Sequence, residues 1–127
     1  MSRSVRALRG ATTVEADDPT QIRAAARALL PAILDENGVD PADLISVFVT
    51  TTPDIVSMFP ATAFREECGL DDVPLMGAVE ADVIGGTPLA IRVMVHCHSG
   101  LSRAEVRHIF QGRAAAMRPD LRPDGSA

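Results

Sequence analysis

Hydrophobic residues follow a helical period between residues 18 and 38 of the chain. Asp18 followed by Pro19 is typical of a helix start, and Asn37-Gly38 is typical of a helix end. The apolar positions, which recur every three or four residues, are Ile22, Ala25, Ala26, Leu29, Leu30, Ile33 and Leu34. This single apolar stripe predicts one long amphipathic helix, kinked at Pro31, that packs across a sheet.

Three segments show the period of two or the β-branched runs that are typical of strands. Residues 5–13 predict a first strand, and residues 44–50 predict a second one inside the sheet. Residues 89–97 carry apolar side chains at both alternating sets of positions, which predicts a strand buried on both faces. We expect this strand to pair, through a turn at Gly85-Gly86, with an upstream strand that ends near Glu80.

Capping residues predict two shorter helices. Pro60 suits the first turn of a helix that Gly69 would end. Ser102 with Glu105 three residues later has the capping-box pattern, which predicts a short helix running towards Gln111.

The length of 127 residues indicates one domain, which we place at residues 1–121, followed by a flexible tail at residues 122–127. Hydrophobic residues make up 46% of the chain but aromatic residues only 3%, so the core must consist of Ala, Val, Leu and Ile. A domain of this size often completes its burial by forming an oligomer. The net charge of −5 argues against nucleic acid as a partner, because no basic face would compensate the phosphates.

The two cysteines, Cys68 and Cys97, do not form a C-x-x-C pair, and we expect two buried thiols in a reducing compartment. The N-terminus lacks the apolar core of a signal peptide, and no apolar run reaches the ~20 residues that span a bilayer. We therefore expect a soluble, cytoplasmic protein with no membrane partner.

His96 and His98 would share one face of a strand, where they could hold a metal ion. A catalytic zinc site needs a third protein ligand, and the sequence offers only His108 or a carboxylate. We favour the alternative of a strand end that reaches solvent, and so we expect no metal. Cys97 points to the opposite face from both histidines, which excludes a Cys/His nucleophile pair.

Arg92 stands in the middle of the predicted buried strand, where Val or Ile would ordinarily lie. A buried guanidinium is costly unless it meets an anion, and Glu80 is the carboxylate expected nearby. Arg9, on a face of small residues, is a further candidate, as are Arg65 and Arg118; a solvated surface position is the alternative for Arg9 and Arg65. These residue types predict a receptor for a small carboxylate, with neither a base nor a nucleophile.

Four motifs, taken together, resemble one protein family. They are RGATT at residues 9–13, TPD...FPA..R at 52–65, E.D..GG....IRVM at 80–94 and RPDL at 118–121. Each motif alone is weak, but the four in this order and spacing are specific. The chain is similar to the trimeric α/β-type monofunctional chorismate mutases of the AroH class over about residues 5–121.

The resemblance implies an α+β fold in which a five-stranded mixed sheet packs on one long helix. It also implies a homotrimeric pseudo-α/β-barrel with active sites in clefts between subunits. The implied activity is the conversion of chorismate to prephenate, an intramolecular Claisen rearrangement on the route to phenylalanine and tyrosine. Such an enzyme needs no base, nucleophile or cofactor, because it holds the substrate in its reactive shape and stabilises the developing charge.

The resemblance also implies the roles of individual residues. Arg92 would place its guanidinium at the ether oxygen, Arg9 would bind a substrate carboxylate, and Glu80 would accept a hydrogen bond from the ring hydroxyl. Phe59 and Arg65 are expected from the adjacent subunit, and Arg118 is expected to close over the ligand. The full set of implied substrate-binding residues is Phe59, Arg65, Leu75, Met76, Gly77, Phe110, Met117 and Arg118.

Three positions depart from the family pattern. Phe110 stands where a tyrosine is frequent, Gly77 where a cysteine is frequent, and Thr62 where a lysine is frequent. The changes remove a hydroxyl contact, a side-chain donor near Glu80 and a positive charge at the entrance. We expect the activity to survive with a weaker affinity for substrate.

Two other functions fit the same residues. One is a non-catalytic module that binds a small carboxylate metabolite in an intersubunit cleft. The other is a trimeric enamine/imine hydrolase of similar overall shape, which would use an arginine to bind a carboxylate but would not act on chorismate.

Overall fold

The structure is a computed structural model that describes residues 3–116. Its strands are β1 (Ser4–Thr13), β2 (Leu44–Thr51), β3 (Leu75–Val79), β4 (Ala90–Ser99) and β5 (Ile109–Phe110). Its helices are α1 (Pro19–Glu36) and α2 (Pro60–Cys68), with 3-10 turns at Pro41–Asp43 and Gly112–Ala116. The tail expected at residues 122–127 lies outside the described residues.

The five strands form one mixed sheet in the order β3-β2-β4-β1-β5. Strand β4 lies at the centre and is antiparallel to both β1 and β2. Strand β3 is parallel to β2, and β5 is parallel to β1. The predicted α+β class, with a five-stranded mixed sheet on one long helix, is confirmed, and β2 lies inside the sheet as predicted.

Helix α1 covers one face of the sheet and forms much of the core. The side chain of Asp18 caps it by accepting a hydrogen bond from a first-turn N–H, and the helix continues through Pro31 as the apolar stripe predicts. Gly10 of β1 lies directly against α1: a Cβ at this position would come within 2.5 Å of Ile33 Cδ1. The missing side chain therefore lets the strand approach the helix closely.

The other face of the sheet carries no helix, because α1 and α2 pack against each other on the first face. On β4, Ile91, Val93 and Val95 are buried against the helices, whereas Met94 and His98 are exposed at the alternate positions. The prediction of a strand buried on both faces is therefore wrong for the single chain. One layer of helices can cover only one face, and the second face stays open.

The predicted pairing of β4 with the strand before Glu80 is also wrong. Strand β2 lies between β3 and β4 and pairs with both of them. Because β3 runs parallel to β2, the chain from Glu80 to Leu89 must pass the end of β2 before it can return as β4. The Gly85-Gly86 turn lies within this connection and does not join paired strands.

The predicted helix after Ser102 is wrong as well. The expected capping contact forms, with Ser102 N donating to Glu105 Oε1 at 2.8 Å, but only one turn follows. The backbone N–H and C=O of Arg107 then bond to the side-chain amide of Asn37 at 2.7 and 2.8 Å. Tertiary hydrogen bonds replace the helical ones, and the next residues pair with β1 as strand β5.

Both cysteines are free thiols; Cys97 is buried and Cys68 is partly buried. Burial raises the pKa of Cys68 to about 11 and also raises the pKa of Cys97. Both thiols therefore stay protonated and weakly nucleophilic at neutral pH. Within residues 3–116, neither helix combines the length and the apolar character needed to cross a bilayer.

Helices α1 and α2 are joined by ion pairs at their surface. Arg23 contacts Glu66 at 3.0 Å and Glu67 at 3.1 Å, and Arg27 pairs with Glu67 as well. The hydrogen bonds from Arg27 and Arg23 hold the pKa of Glu67 below its usual value.

Glu67→Gln is expected to lower the free energy of unfolding at neutral pH and to have little effect in acid. A carboxylate whose folded pKa is depressed stabilises the fold above its unfolded pKa, and this contribution is lost as the pH falls through the folded pKa. Urea midpoints of wild type and variant, measured from about pH 7 to about pH 3, should therefore converge in acid. Glu36→Gln, at a looser pair 3.8 Å from Arg107, is the control. A difference that is independent of pH would contradict the prediction.

Candidate active site

The structure brings Arg92 and Glu80 together at one end of the sheet. Arg92 is the third residue of β4, and Glu80 directly follows β3. Arg92 Nε lies 3.3 Å from Glu80 Oε1, and the side chains are 41% and 16% exposed, respectively. They meet across the end of β2, so their proximity does not depend on the hairpin that the sequence suggested.

Strand β2 holds Glu80 by two hydrogen bonds. The backbone N–H of Glu80 donates to the carbonyl of Thr51 at 2.8 Å, which continues the β2–β3 ladder by one residue. The hydroxyl of Thr50 donates to Glu80 Oε2 at 2.7 Å. Thr50 was not a candidate from the sequence, because only the strand register shows that it stands opposite Arg92.

In the part of the chain that the structure describes, the guanidinium of Arg92 contacts a charged partner only at its Nε side. Its Nε is fully buried beside Glu80 but lacks the geometry of a hydrogen bond. Among the described residues, Glu80 is the partner of this guanidinium, and the two terminal amino groups donate to none of them. The fork of N–H donors is therefore available to an anion.

Two depressions of the surface meet at Arg92. The larger, about 600 Å³, is walled by Glu80, the loop that follows it and the turn at Thr52 to Asp54. The smaller, about 290 Å³, lies on the open face of the sheet and is lined by Arg9, Phe48, Thr50, Arg92, Val93 and Met94. Arg9 and Arg92 thus line a common concave surface, as expected if both bind one anion.

A clip of side chains fixes the start of β4. Asp54 accepts one hydrogen bond from the hydroxyl of Thr52 at 2.6 Å and another from the N–H of Leu89 at 2.9 Å. The same hydroxyl accepts from the N–H of Ala90 at 3.0 Å. Leu89 has a φ of 52°, in the left-handed region that only glycine adopts readily. The clip holds this strained residue in place and so sets the position of Arg92 three residues later.

Other candidate residues lie away from Arg92 in the single chain. Phe59, 81% exposed, lines a separate groove of about 810 Å³ together with Thr62 and Gly77. Arg65 is exposed on α2, and Leu75 packs against the core on the helix-covered face. The single chain therefore divides the implied site into two parts.

Of the four remaining candidates, two lie within the described residues and two lie outside them. Phe110 is partly buried on β5, where it pairs with Ala11 of β1. Met76 is 64% exposed and stands opposite Phe48 on the open face of the sheet. Met117 and Arg118 lie outside the described residues.

The two histidines of β4 share one face, as the sequence predicts. His96 Nδ1 lies 3.4 Å from the hydroxyl of Ser46, and its ring meets the ring of Phe48 edge to face. The Nδ1 atom of His108 accepts from the N–H of Arg9. Within residues 3–116, no group of three or more His, Cys, Asp or Glu side chains is arranged to hold a metal ion.

Comparison with known proteins decides the family. The family model described as chorismate mutase type I matches residues 5–121. The chain belongs to the type I chorismate mutase family. The resemblance found in the sequence motifs is thereby confirmed, and the activity of the chain is that of a chorismate mutase, an isomerase.

Relatives of this chorismate mutase match it along nearly its whole length. The chain is 38% identical to chorismate mutase AroH of Bacillus subtilis (strain 168), over 92% of each chain. It is 42% identical to chorismate mutase AroH of Thermus thermophilus, over 92% of this chain and 96% of the relative. A solved chorismate mutase from Clostridium thermocellum superposes with a TM-score of 0.82 at 34% identity, covering 86% of this chain and 96% of that one. These matches favour the mutase over the binding module and the imine hydrolase.

Proposed function

We propose that this chorismate mutase converts chorismate to prephenate at the surface where Arg92, Glu80 and Arg9 meet, and that a neighbouring subunit of a homotrimer completes the site. The observation that carries the proposal is the environment of the Arg92 guanidinium. Glu80 neutralises it at Nε, while its terminal N–H groups donate to no described residue. A rigid strand thus presents a cationic fork to the cleft.

The chemistry of the rearrangement suits such a site. Within one molecule the ether C–O bond breaks as a new C–C bond forms, so atoms and electrons balance without a proton transfer or a nucleophile. Negative charge grows on the ether oxygen as its bond to carbon lengthens. Hydrogen bonds from Arg92 to that oxygen strengthen in the transition state, and this difference accelerates the reaction.

The other residues bind and orient the substrate in this proposal. Arg9, which shares a depression with Arg92, would bind a carboxylate of the substrate. Glu80 would accept a hydrogen bond from the ring hydroxyl through the exposed 16% of its side chain. Holding the flexible dicarboxylate in its reactive conformation removes part of the entropic barrier.

The open face of the sheet supports the homotrimer. Exposed apolar side chains on this face include Val5 (54%), Phe48 (41%), Met76 (64%) and Met94 (37%). Phe48 stands opposite both Met76 and Met94 in the sheet, and exposed apolar residues grouped in this way are typical of a protein interface. A neighbouring subunit could then bring Phe59 and Arg65 to Arg92. The two free thiols support a reducing cytoplasm as the compartment, where prephenate would serve the synthesis of phenylalanine and tyrosine.

An assay with chorismate, together with the mass of the protein in solution, tests the proposal. We expect chorismate to disappear and prephenate to form, catalysed by a particle of three chains. Binding of chorismate without turnover would support the binding module. Hydrolysis of amino-acid-derived imines without turnover of chorismate would support the hydrolase.

Mixed trimers test the shared site. Arg92→Ala and Arg65→Ala proteins, each expected to be nearly inactive, should recover activity when they are unfolded together and refolded as a mixture. With equal amounts of the two proteins and random assembly, about a quarter of the sites would combine an intact Arg92 with an intact Arg65 from the neighbour. Recovery to about this fraction of the wild-type rate is expected. A mixture that stays as inactive as its components would contradict a site built from two subunits.

A further inference from the structure

We propose that Thr50 is a positioning residue, whose hydroxyl holds the Glu80 carboxylate in the orientation that leaves the fork of Arg92 open to the substrate. The proposal rests on the proposed function and adds a residue to that site. Thr50 belongs to none of the four motifs that identify the family, and its importance is visible only in the strand register.

The sheet places Thr50 between the two charged residues. It stands opposite Arg92 on β4 and opposite Ala78 on β3, two residues before Glu80. It also lines the depression shared by Arg9 and Arg92. As a β-branched residue in a strand it has restricted rotation about χ1, so its hydroxyl has a defined direction. A rigid central scaffold therefore aims this donor at the carboxylate.

The Thr50 hydroxyl donates a hydrogen bond to one of the two carboxylate oxygens of Glu80. Thr50 donates to Oε2 at 2.7 Å, a short distance that is typical of a hydroxyl bound to a charged acceptor. Oε1 is then the oxygen that faces Arg92, at 3.3 Å from Nε. Because a carboxylate is planar, the position of Oε2 determines the direction of Oε1.

The consequence concerns the fork of N–H donors. A carboxylate that could turn freely beside an arginine would form the bidentate pair, with two parallel N–H···O bonds. In that arrangement Glu80 would occupy donors that the ether oxygen needs in the transition state. The Thr50 hydroxyl opposes this rotation, so Glu80 neutralises Arg92 from the Nε side while the terminal amino groups stay available.

A series of variants separates the hydroxyl from the shape of the side chain. Thr50→Val keeps the branched shape and loses the hydroxyl, and we expect kcat for chorismate to fall about 10-fold while KM changes less than about 3-fold. Thr50→Ser keeps the hydroxyl and should stay within about 3-fold of the wild-type kcat. Thr12→Val, on the buried face of β1, is the matched control and should leave kcat unchanged. Thermal unfolding of each protein confirms that the variants are folded.

The same change in a Glu80→Ala background shows whether Thr50 acts through Glu80. If it does, Thr50→Val should have almost no further effect on kcat once the carboxylate is gone. Any of three results would overturn the proposal. Thr50→Val could keep the wild-type kcat, or Thr50→Ser could be as impaired as Thr50→Val. The third is that Thr50→Val lowers kcat as much in the Glu80→Ala background as in the wild type. The rate of the wild-type protein distinguishes failure of this proposal from failure of the proposed function. If the wild type does not turn over chorismate, the proposed function is wrong; if only the Thr50 variants behave otherwise than expected, the role of Thr50 is wrong.

Discussion

Arg92→Ala is expected to lower kcat/KM for chorismate by about 10²- to 10³-fold while the protein keeps its fold. In the proposed site Arg92 is the group whose N–H donors meet the oxygen on which charge develops, and among the described residues Arg92 is the cation paired with Glu80. The loss should lie mainly in kcat, because the interaction strengthens in the transition state. Steady-state kinetics with chorismate, and circular dichroism to confirm the fold, measure these outcomes.

Arg92→Lys should be severely impaired too. Lysine keeps the positive charge but replaces a planar fork with a single ammonium group, which cannot meet both Glu80 and the ether oxygen in the same geometry. Arg103→Ala, at an exposed arginine in the turn after β4, is the control and should keep the wild-type rate. A near-normal rate for Arg92→Ala would refute the assignment of this residue.

Glu80→Ala is expected to lower kcat/KM by about 10²-fold. The carboxylate is mostly buried and lies beside the buried Nε of Arg92, so its removal leaves that atom without a counter-charge. Arg92 would then turn towards solvent, because its side chain is already 41% exposed. The loss should appear in both kcat and KM, since Glu80 also orients the ring of the substrate in the proposed site.

Glu80→Gln separates charge from shape at this position. Glutamine can still accept the hydrogen bond from Thr50, but it cannot neutralise Arg92. We expect an activity between those of wild type and Glu80→Ala. Glu36→Ala, which removes an exposed carboxylate, is the control. Equal activity of Glu80→Gln and wild type would show that the charge of Glu80 has no part in catalysis.

The arrangement around Arg92 shows why the site was only partly predictable. An arginine in an otherwise apolar strand is costly, and this cost alone pointed to Arg92 and to an anionic partner. The partner, Glu80, was predicted correctly, but the hairpin that was expected to bring it to Arg92 does not form. Thr50, Thr52 and Asp54 were not site candidates from the sequence, since their side chains reach Glu80 and the start of β4 only because β2 lies between β3 and β4.

The segment after Ser102 shows the limit of local signals. Its capping box forms as the sequence suggests, yet no helix follows. The side chain of Asn37 forms hydrogen bonds with the backbone of Arg107, and the residues that follow pair with the edge of β1. A single capping contact contributes about 1 kcal/mol, which such long-range hydrogen bonds readily outweigh.

The sequence by itself determined the long helix, the strand segments β1, β2 and β4, the α+β class and, through four spaced motifs, the family. The helix and the strand segments depend on local periodicity and on capping residues, which can be evaluated along the chain, whereas the α+β class and the family rest on the resemblance that the four motifs carry. Only the tertiary structure decided the order of the strands, the open face of the sheet and the group of hydroxyl and carboxylate side chains around Arg92. Which strand lies beside which depends on the competition between whole segments for the same edge, and no short stretch of residues contains that information.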